Sequence, residues 1–492
     1  MIFSLDNIIL ISSILLLLAI ISTRISKFGI PIVLLFIGLG MLAGSEGIGG
    51  IYFDDPKISK FIGGIALCII LFSGGLDTKF TNIRQVLWQG IALSTIGVIV
   101  TAMVIGLIAH FAFGFSLPEG LLIGSIVSST DAAAVFSILK TKKLGLKGNL
   151  RFILEFESGS NDPMTFFLTI LFASFLTLKI GAWYDTVLLF IRQMLLGTLI
   201  GIAMGYLMQK MINWVQLEFE GLYSVLLLAL VLFTFSFSEY IGGNSFLAVY
   251  LAAVILGNKE FIHKRSLTKH FDGQAWFMQT IMFLTLGLLV FPSRLFPLVG
   301  MGLVLSFCLI FIARPIAVYL AMLPFRINNR SKLFISLVGL RGSVPIILAI
   351  YVKSYKVPVA DLVFNLVFFI SVTSVLIQGT TFSYIAKWLN VVVPIDAKRK
   401  SELDKEQVLT AKAVKREISL LNGASSIGRK IVDLHLPSGV IITWIRRGNN
   451  YLIHDGNFVL EENDTLQIIA DNEEMADAFS KILNPGAVKV QD

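Results

Sequence analysis

Long apolar runs dominate this chain, and they decide what it can fold into. Hydrophobic residues occupy 55% of the 492 positions, and charged residues only 15%. Soluble domains usually carry about 25% charged residues, so the deficit is too large for one buried core. The basic residues lie in short clusters between apolar runs, as they do in the loops of membrane proteins. The sequence therefore predicts an all-α polytopic membrane protein surrounded by lipid. It predicts no nucleic-acid partner, despite a formal charge of +8.

The apolar runs predict about thirteen transmembrane helices, because a bilayer core needs about 20 apolar residues in a helix. The thirteen spans are, approximately, residues 3–22, 30–45, 59–76, 87–112, 119–139, 151–178, 184–210, 221–239, 244–258, 274–291, 296–323, 332–352 and 359–386. The first span lacks a basic start and a small-residue cleavage site, so we expect a retained helix rather than a signal peptide. Cys68 and Cys308 lie inside apolar runs and predict neither a disulfide nor a metal site.

The loop charges predict the orientation. If the C-terminus is cytoplasmic, thirteen spans place the N-terminus outside, and the loops on the inside then hold 17 basic residues against 6 outside. Cytoplasmic loops of membrane proteins carry such an excess. The inside set is Arg24, Lys27, Lys79, Arg84, Lys140, Lys142, Lys143, Lys147, Arg151, Lys210, Lys259, Lys264, Arg265, Lys269, Arg326, Arg330 and Lys332. The outside set is Lys57, Lys60, Lys179, Arg294, Lys353 and Lys356. We expect a bacterial inner (plasma) membrane protein with a cytoplasmic tail.

The composition changes after about residue 390, which divides the chain into three predicted parts. Residues 1–390 form the transmembrane domain, and residues 391–418 are rich in charge and predict a linker helix. Residues 419–485 predict a small α/β domain, because β-rich runs broken by turn residues precede the helical pattern EEMADAFSKIL. GASSIG at 423–428 could begin a helix. The tail resembles the C-terminal (TrkA-C, or RCK-C) subdomain of potassium-conductance regulators. That resemblance implies either dimerisation alone or a small regulatory ligand.

Span five carries polar residues where lipid-facing helices are apolar. Ser128, Ser129, Thr130 and Asp131 lie near its middle and precede the helix-forming run AAAVFSIL. Residues of these types cap helices, so the pattern predicts a helix broken at mid-membrane, with a second half that begins near Thr130 or Asp131. Non-helical backbone at this depth requires a cavity or surrounding protein. The alternative is an unbroken helix in which Asp131 has a structural ion pair.

Span six concentrates polar groups in less than two turns. Ser158 and Asp162 are four residues apart and share one face, while Glu157 and Asn161 share the adjacent face. Pro163 removes a helix donor and leaves a carbonyl available nearby. An ionisable group at mid-membrane is a functional candidate by default. Asp162, which has no basic neighbour in its own helix, is the main candidate, whereas Glu157 is expected to brace the bundle.

Span twelve contains a charge that cannot be neutralised. Arg341 lies between Gly339 and Gly342 in GLRGSVPI, so this helix is also expected to be interrupted. A buried arginine stays protonated and needs a partner. We predict a structural ion pair of Glu157 with Arg341, or of Asp131 in its place; otherwise Arg341 tunes Asp162. Spans five and twelve lie about 210 residues apart, as do spans six and thirteen. Broken helices in two matching halves predict inverted repeats of six around a transport site.

The three motifs together resemble a known family. STDAAAVF at 129–136, FESGSNDP at 156–163 and GLRGSVPI at 339–346 are similar to motifs of the NhaP-like branch of the cation:proton antiporter superfamily. The resemblance covers residues 1–390. It implies a thirteen-helix homodimer with unwound helices five and twelve, and a core domain that moves as an elevator against a dimerisation domain.

The resemblance also implies roles for individual residues. Thr130, Asp131, Ser158 and Asp162 would bind the alkali cation and the proton, and Glu157 and Arg341 match the stabilising ion pair of the family. Asn161 matches the first residue of an Asn-Asp pair. Electrogenic members carry a second aspartate there, so its replacement implies electroneutral exchange. The K⁺-exchanging subgroup has a similar tail, which favours K⁺ over Na⁺, and no cofactor is implied.

The chemistry of Asp162 predicts a mechanism independently of the family resemblance. Burial raises the pKa of a carboxyl group, because the charged form loses its hydration. A proton and an alkali cation could then compete for one carboxylate, with the Ser158 and Thr130 hydroxyls as further oxygen ligands. A tail-gated cation channel is the main rival, but the chain has no TVGYG-type filter. A proton-coupled solute symporter fits less well because the site is small. Without HExxH, GxSxG or P-loop motifs, the sequence does not favour an enzyme.

Overall fold

The computed structural model divides the chain into two units, Met1–Val393 and Pro394–Asp492. It describes residues 5–22, 32–131, 144–177, 183–355, 357–394, 414–421, 423–434, 440–448, 450–452, 458–470 and 473–484. All structural statements below refer to these residues.

The first unit is built almost entirely from α-helices, most of them apolar. They are α1 Leu5–Ser22, α2 Ile32–Ala43, α3 Pro56–Asp77, α4 Phe80–Phe113, α5 Leu117–Val127, α6 Leu150–Leu176, α7 Trp183–Val215, α8 Glu220–Ile241, α9 Ser245–Gly257, α10 Lys264–Leu288, α11 Pro292–Ala321, α12 Asn329–Leu337, α13 Ser343–Ser354 and α14 Ala360–Trp388. A short strand β1 (Leu144–Leu146) pairs with β2 (Val392–Pro394).

Six of the described helices are long and apolar enough to cross a membrane: α3, α4, α8, α11, α14 and the Leu188–Val215 part of α7. Further apolar helices, among them α2, α5, α9 and α13, are shorter. Each of the thirteen predicted spans overlaps at least one helix. The number of membrane crossings and the inverted repeat stay predictions.

Two of the predicted spans contain non-helical backbone. Helix α5 ends at Val127, and residues 128–131 are not helical. The predicted second half of span five falls on residues 132–143, which lie outside the described residues. Span twelve is divided into α12 and α13 by non-helical residues 338–342, where its glycines predict an interruption. The structure thus places two non-helical segments inside an otherwise helical bundle.

Helix α5 is held in place by close packing on α4. A β-carbon added at Gly120 would lie 2.4 Å from the Gly106 carbonyl oxygen, and one at Gly124 would lie 2.2 Å from the Ala102 oxygen. Small residues at such contacts let two helix backbones approach without a side chain between them. At the start of α5, the Ser116 amide donates to Glu119 over 2.8 Å. These contacts position α5 against α4, and residues 128–131 follow directly after its last residue, Val127.

In its described residues, the second unit contains a four-stranded antiparallel sheet, one α-helix and a short 3₁₀ helix, Ile431–Leu434. Its elements are β3 Val414–Ser419, β4 Val440–Arg447, β5 Asn450–Leu452, β6 Thr465–Ala470 and α15 Glu473–Leu483, and the strand order is β3-β6-β4-β5. Ile445, Leu466 and Ile468 from the strands are fully buried together with Phe479 of α15.

The predicted limits of the tail need two corrections. The linker helix assigned to residues 391–418 is wrong over 392–394, which form strand β2, and over 414–418, which belong to strand β3 and pair with β6. Residues 395–413 of that linker lie outside the described residues. Residues 423–428 form turns rather than the start of a helix. The helix predicted from EEMADAFSKIL is confirmed as α15.

Candidate ion-binding site

The two non-helical segments are bonded to each other at the centre of the first unit. The Asp131 amide donates a hydrogen bond of 2.8 Å to the Leu340 carbonyl oxygen. The Arg341 guanidinium donates through Nη1 to the carbonyl oxygens of Ser128, at 3.2 Å, and Ser129, at 2.9 Å. The last carbonyls of a helix lack intrahelical partners and carry partial negative charge. Arg341 therefore satisfies the broken end of α5 with a permanent positive charge.

Asp162 of α6 lies directly beside this junction. Its Oδ1 accepts a hydrogen bond of 2.6 Å from the Ser129 hydroxyl, and its side chain is only 5% exposed. Its bonded neighbour is thus a neutral hydroxyl rather than a permanent cation. A hydroxyl donor helps to stabilise the carboxylate without neutralising it. The negative charge remains available for a mobile cation or a proton.

Two residues of α6 hold Thr130 in position. The Ser158 hydroxyl donates to the Thr130 carbonyl oxygen over 2.9 Å, and the Asn161 amide nitrogen donates to Thr130 Oγ1 over 2.6 Å. A hydroxyl that donates its proton keeps two lone pairs, so the Ser158 oxygen can still face a cation. Asn161, which is completely buried, orients Thr130 and contributes no charge of its own.

Asp131 meets the beginning of α13. A β-carbon built on Gly342 would lie only 2.0 Å from Asp131 Oδ2, so the carboxylate occupies the space next to that glycine. Gly342 directly precedes Ser343, the first residue of α13. The amino end of a helix attracts negative charge. The break in span twelve therefore creates a place for a carboxylate beside the site.

One cavity joins the candidate ligands. It has a volume of about 570 Å³, and Thr130, Asp131, Ser158 and Asp162 all line it. It extends to the exposed residues Asp77, at the end of α3, and Arg151, at the start of α6. Carboxylate and hydroxyl oxygens are the ligands that hard cations prefer. The structure brings the four predicted cation ligands together on one cavity, whereas Asn161 is bonded to Thr130 and is not among the residues that line the cavity.

The predicted partner of Glu157 needs correction. Glu157 Oε1 is bound by Nη2 of Arg314 in α11, and both side chains are almost completely buried. The pairing of Glu157 with Arg341 is wrong, because Glu157 is bound by Arg314, while Nη1 of Arg341 donates to the carbonyls of Ser128 and Ser129. The alternative partner of Arg341, Asp131, contacts the 338–342 segment through its amide, bonded to Leu340, and through its carboxylate beside Gly342, so an ion pair of Asp131 with Arg341 stays a prediction. Glu157 does brace the bundle, but between α6 and α11.

Sequence reasoning missed two residues of this site. Arg314 could have been found, because a charged residue inside the apolar run 296–323 is as unusual as Arg341 in its own run. In the sequence, Ser129 is only one of four consecutive polar residues, and its bond to Asp162 is not predicted. Nothing in the sequence shows which of three consecutive hydroxyl residues turns toward Asp162, since non-helical backbone has no fixed periodicity.

Replacing Gly342 with alanine should impair ion exchange without unfolding the protein. The added methyl group would displace the Asp131 carboxylate from the site. Activity should fall on the order of tenfold to a hundredfold, the effect of moving a functional group by about 1 Å. Initial exchange rates in vesicles at matched expression measure this. Gly300→Ala is the control, because nothing lies within 4 Å of the added β-carbon. Equal activity of the two variants would contradict the placement of Asp131.

Two family models match the chain, one for each unit. The model described as the transmembrane sodium/hydrogen exchanger matches residues 12–388. The TrkA-C domain model matches residues 416–483. Together they cover most of the described structure.

Curated relatives resemble the chain over nearly its whole length. A K⁺/H⁺ antiporter NhaP2 of Shewanella oneidensis is 39% identical over 463 residues, which cover 93% of this chain and 80% of the relative. A K⁺/H⁺ antiporter NhaP of Alkalimonas amylolytica is 36% identical over 471 residues, covering 95% and 82%. A probable Na⁺/H⁺ antiporter 2 of Methanocaldococcus jannaschii is 26% identical over 360 residues, covering 69% and 83%.

The fold is also similar to that of a solved structure. The sodium proton antiporter MjNhaP1 of Methanocaldococcus jannaschii, at pH 8, superposes with a TM-score of 0.68 and covers 77% of this chain and 100% of its own. The sequence identity is 22%, so this likeness shows the fold alone.

Proposed function

We propose that this chain, which belongs to the sodium/hydrogen exchanger family and is a monovalent cation/proton antiporter, exchanges K⁺ for H⁺ through Asp162. One observation carries the proposal. Asp162 is a buried carboxylate that lines a cavity, and among the described residues its hydrogen-bond partner is a hydroxyl and not a fixed positive charge. Such a group can be neutralised by either transported ion.

Competition for one carboxylate explains obligatory exchange. The cation binds Asp162 with the oxygens of Ser158, Thr130 and Asp131, and protonation of Asp162 removes the ligand on which it depends. If the site crosses the membrane only when Asp162 is neutral, each inward proton must be matched by one outward cation. Position 161 is an asparagine, so the pair of residues next to the cation contributes a single charge. We therefore propose electroneutral, one-for-one exchange.

The walls of the cavity support alternating access. One wall consists of α2, α3, α9 and α10, with residues such as Phe36, Leu71 and Asp272. The other consists of α6, α13, α14 and the non-helical segments, and it carries Asp162. The site thus lies on one of two facing helix groups. We propose that its group moves as an elevator against the other, within a homodimer.

The orientation and the tail complete the proposal. We place the protein in a bacterial inner (plasma) membrane with its N-terminus outside and the TrkA-C domain in the cytoplasm. The cavity then opens toward the cytoplasm, because Asp77 and Arg151 lie at the helix ends next to the basic inside loops. We propose that the TrkA-C domain binds a small regulatory ligand or pairs with a second copy.

The choice of cation rests on similarity. Both longer-matching relatives described above are named K⁺/H⁺ antiporters, whereas the archaeal relative at 26% identity is named a probable Na⁺/H⁺ antiporter. We therefore favour K⁺ and keep Na⁺ as the alternative.

A dequenching assay with a pH-sensitive dye in proteoliposomes tests the function. Adding Li⁺, Na⁺, K⁺ or Rb⁺ to acid-loaded vesicles should collapse the proton gradient most strongly with K⁺. The rate should not change when a membrane potential of either sign is imposed, because no net charge moves. The Asp162→Asn protein is the control for leak. A larger response to Na⁺ would contradict the cation assignment, and cation flux without proton movement would favour the channel.

A further inference from the structure

Lys353 connects two helices across the end of the bundle opposite to the open cavity. Its Nζ lies 2.9 Å from Asp54 Oδ1 and 3.0 Å from Asp361 Oδ1. Lys353 lies near the end of α13, and Asp54 lies just before α3, whose other end is Asp77 at the cavity mouth. The ion pair of Lys353 with Asp54 therefore joins the two helix groups that form the walls of the cavity. Asp361, at the start of α14, belongs to the same group as Lys353.

The same end of the bundle is closed by tight packing of α3 on α13. A β-carbon added at Gly63 would lie 3.3 Å from the Ile347 side chain, and one at Gly64 would lie 3.1 Å from the Tyr351 hydroxyl oxygen. The Tyr351 ring is 5.5 Å from the Phe166 ring. Lys60 of α3 lies 4.5 Å from the centre of the Tyr351 ring. These contacts hold α3 against α13 at the end of the bundle where Lys353 lies.

We infer that the Lys353–Asp54 ion pair is a latch that holds Asp162 accessible from the Asp77 side of the membrane, and must open before the ion can leave on the other side. The inference rests on the proposed function, since only an alternating-access transporter needs both states. The two surfaces can separate only if α13 moves relative to α3, and the ion pair crosses that boundary. Lys353 is then a positioning residue that sets the balance of the two states.

Substitutions of Lys353, Asp54 and Asp361 are expected to have different effects on transport, and the difference distinguishes a latch from a merely structural ion pair. Lys353→Gln and Asp54→Asn both remove the link between the groups. Asp361→Asn leaves that link intact, because Lys353 and Asp361 move together, and it frees Lys353 to bind Asp54 alone. Lys57, which is exposed on α3 at the same end, offers a matched control for the loss of one positive charge.

The half-saturating K⁺ concentrations at the two faces of the membrane measure the equilibrium between the two access states. An apparent affinity falls in proportion to the population of the state that binds, so the ratio of the two concentrations follows the equilibrium between the states. In vesicles of opposite orientation, the half-saturating concentration at the face to which the cavity opens, divided by that at the far face, should rise about fivefold in Lys353→Gln and Asp54→Asn. This is the size expected of a partly exposed ion pair. Lys353→Arg should restore the ratio. Lys57→Gln should leave it unchanged, and Asp361→Asn should leave it unchanged or move it the opposite way.

Two results would overturn the latch. An unchanged ratio in both Lys353→Gln and Asp54→Asn would do so, as would an equal shift in Lys57→Gln or Asp361→Asn. If Lys353→Gln does not fold, Asp54→Asn tests the same link from the other side, with Lys353 still paired to Asp361. Exchange by the unmodified protein is measured in every series, and its absence would refute the proposed function rather than the latch.

Discussion

Asp162→Asn should reduce exchange to the level of vesicles that lack the protein. An asparagine has nearly the same shape and can still accept the hydrogen bond of Ser129, so the fold should survive. It can neither take up a proton nor attract a cation by charge, and both halves of the cycle are therefore lost. Thermal unfolding in detergent should remain close to that of the unmodified protein, because no permanent charge loses a partner at this position. Initial rates at matched expression measure the loss.

Asp185→Asn provides the matched control for Asp162→Asn. Asp185 is exposed on α7, and its substitution makes the same chemical change away from the cavity. This variant should exchange ions at the normal rate. Substantial exchange by Asp162→Asn would refute the shared carboxylate, and loss of activity in both variants would point to a general effect of the substitution.

Breaking the Glu157–Arg314 pair should destabilise the membrane unit more than any other single change proposed here. Both groups are buried, and removing one leaves a charge without a partner in a low-dielectric interior. The expected loss is about 3–5 kcal/mol for Glu157→Gln or Arg314→Met. The double variant should recover much of that loss, because no charge is then stranded. Midpoints of thermal unfolding in detergent, followed by fluorescence-detected size exclusion, measure the order of the four proteins.

A double-mutant cycle of Glu157 with Arg341 tests whether the partner of Glu157 is Arg314 rather than Arg341. Glu157→Gln combined with Arg341→Met should show weaker coupling than Glu157→Gln combined with Arg314→Met, because Arg341 donates its hydrogen bonds to backbone carbonyls whereas Arg314 is bonded directly to Glu157. Coupling is expected only between residues that share a partner or a contact. If Glu157 couples strongly with Arg341 and weakly with Arg314, the pairing expected from the sequence is right and the structure is not.

Much of the architecture could be predicted because membrane insertion leaves a strong sequence signal. Apolar runs of about 20 residues locate helices, and serine, threonine, aspartate and glycine inside such runs locate breaks. The non-helical segments at 128–131 and 338–342 lie where these residues predict them. The convergence of Thr130, Asp131, Ser158 and Asp162 on one cavity also follows, because a charged group at this depth must face protein or water.

Three features could not be predicted, and each depends on tertiary contacts. The partner of Glu157 depends on which of two arginines packs against α6, and sequence spacing does not encode that. The role of Ser129 depends on local backbone direction outside a helix. The ion pair of Lys353 with Asp54 joins residues 299 positions apart, so neither periodicity nor charge pattern reveals it. Strand β3 is not recognisable in the sequence, because its charged residues are also typical of a linker helix and its strand conformation depends on pairing with β6.

The dependence of K⁺ affinity on pH tests the central claim most directly. The half-saturating K⁺ concentration and the maximal rate are measured in vesicles over a series of pH values on the side to which the cavity opens. If both ions compete for Asp162, the half-saturating concentration rises by up to about tenfold for each unit of acidification, while the maximal rate at saturating K⁺ stays the same. A constant half-saturating concentration, with pH changing only the maximal rate, would mean that protons act at another group and that a shared carboxylate does not drive the exchange.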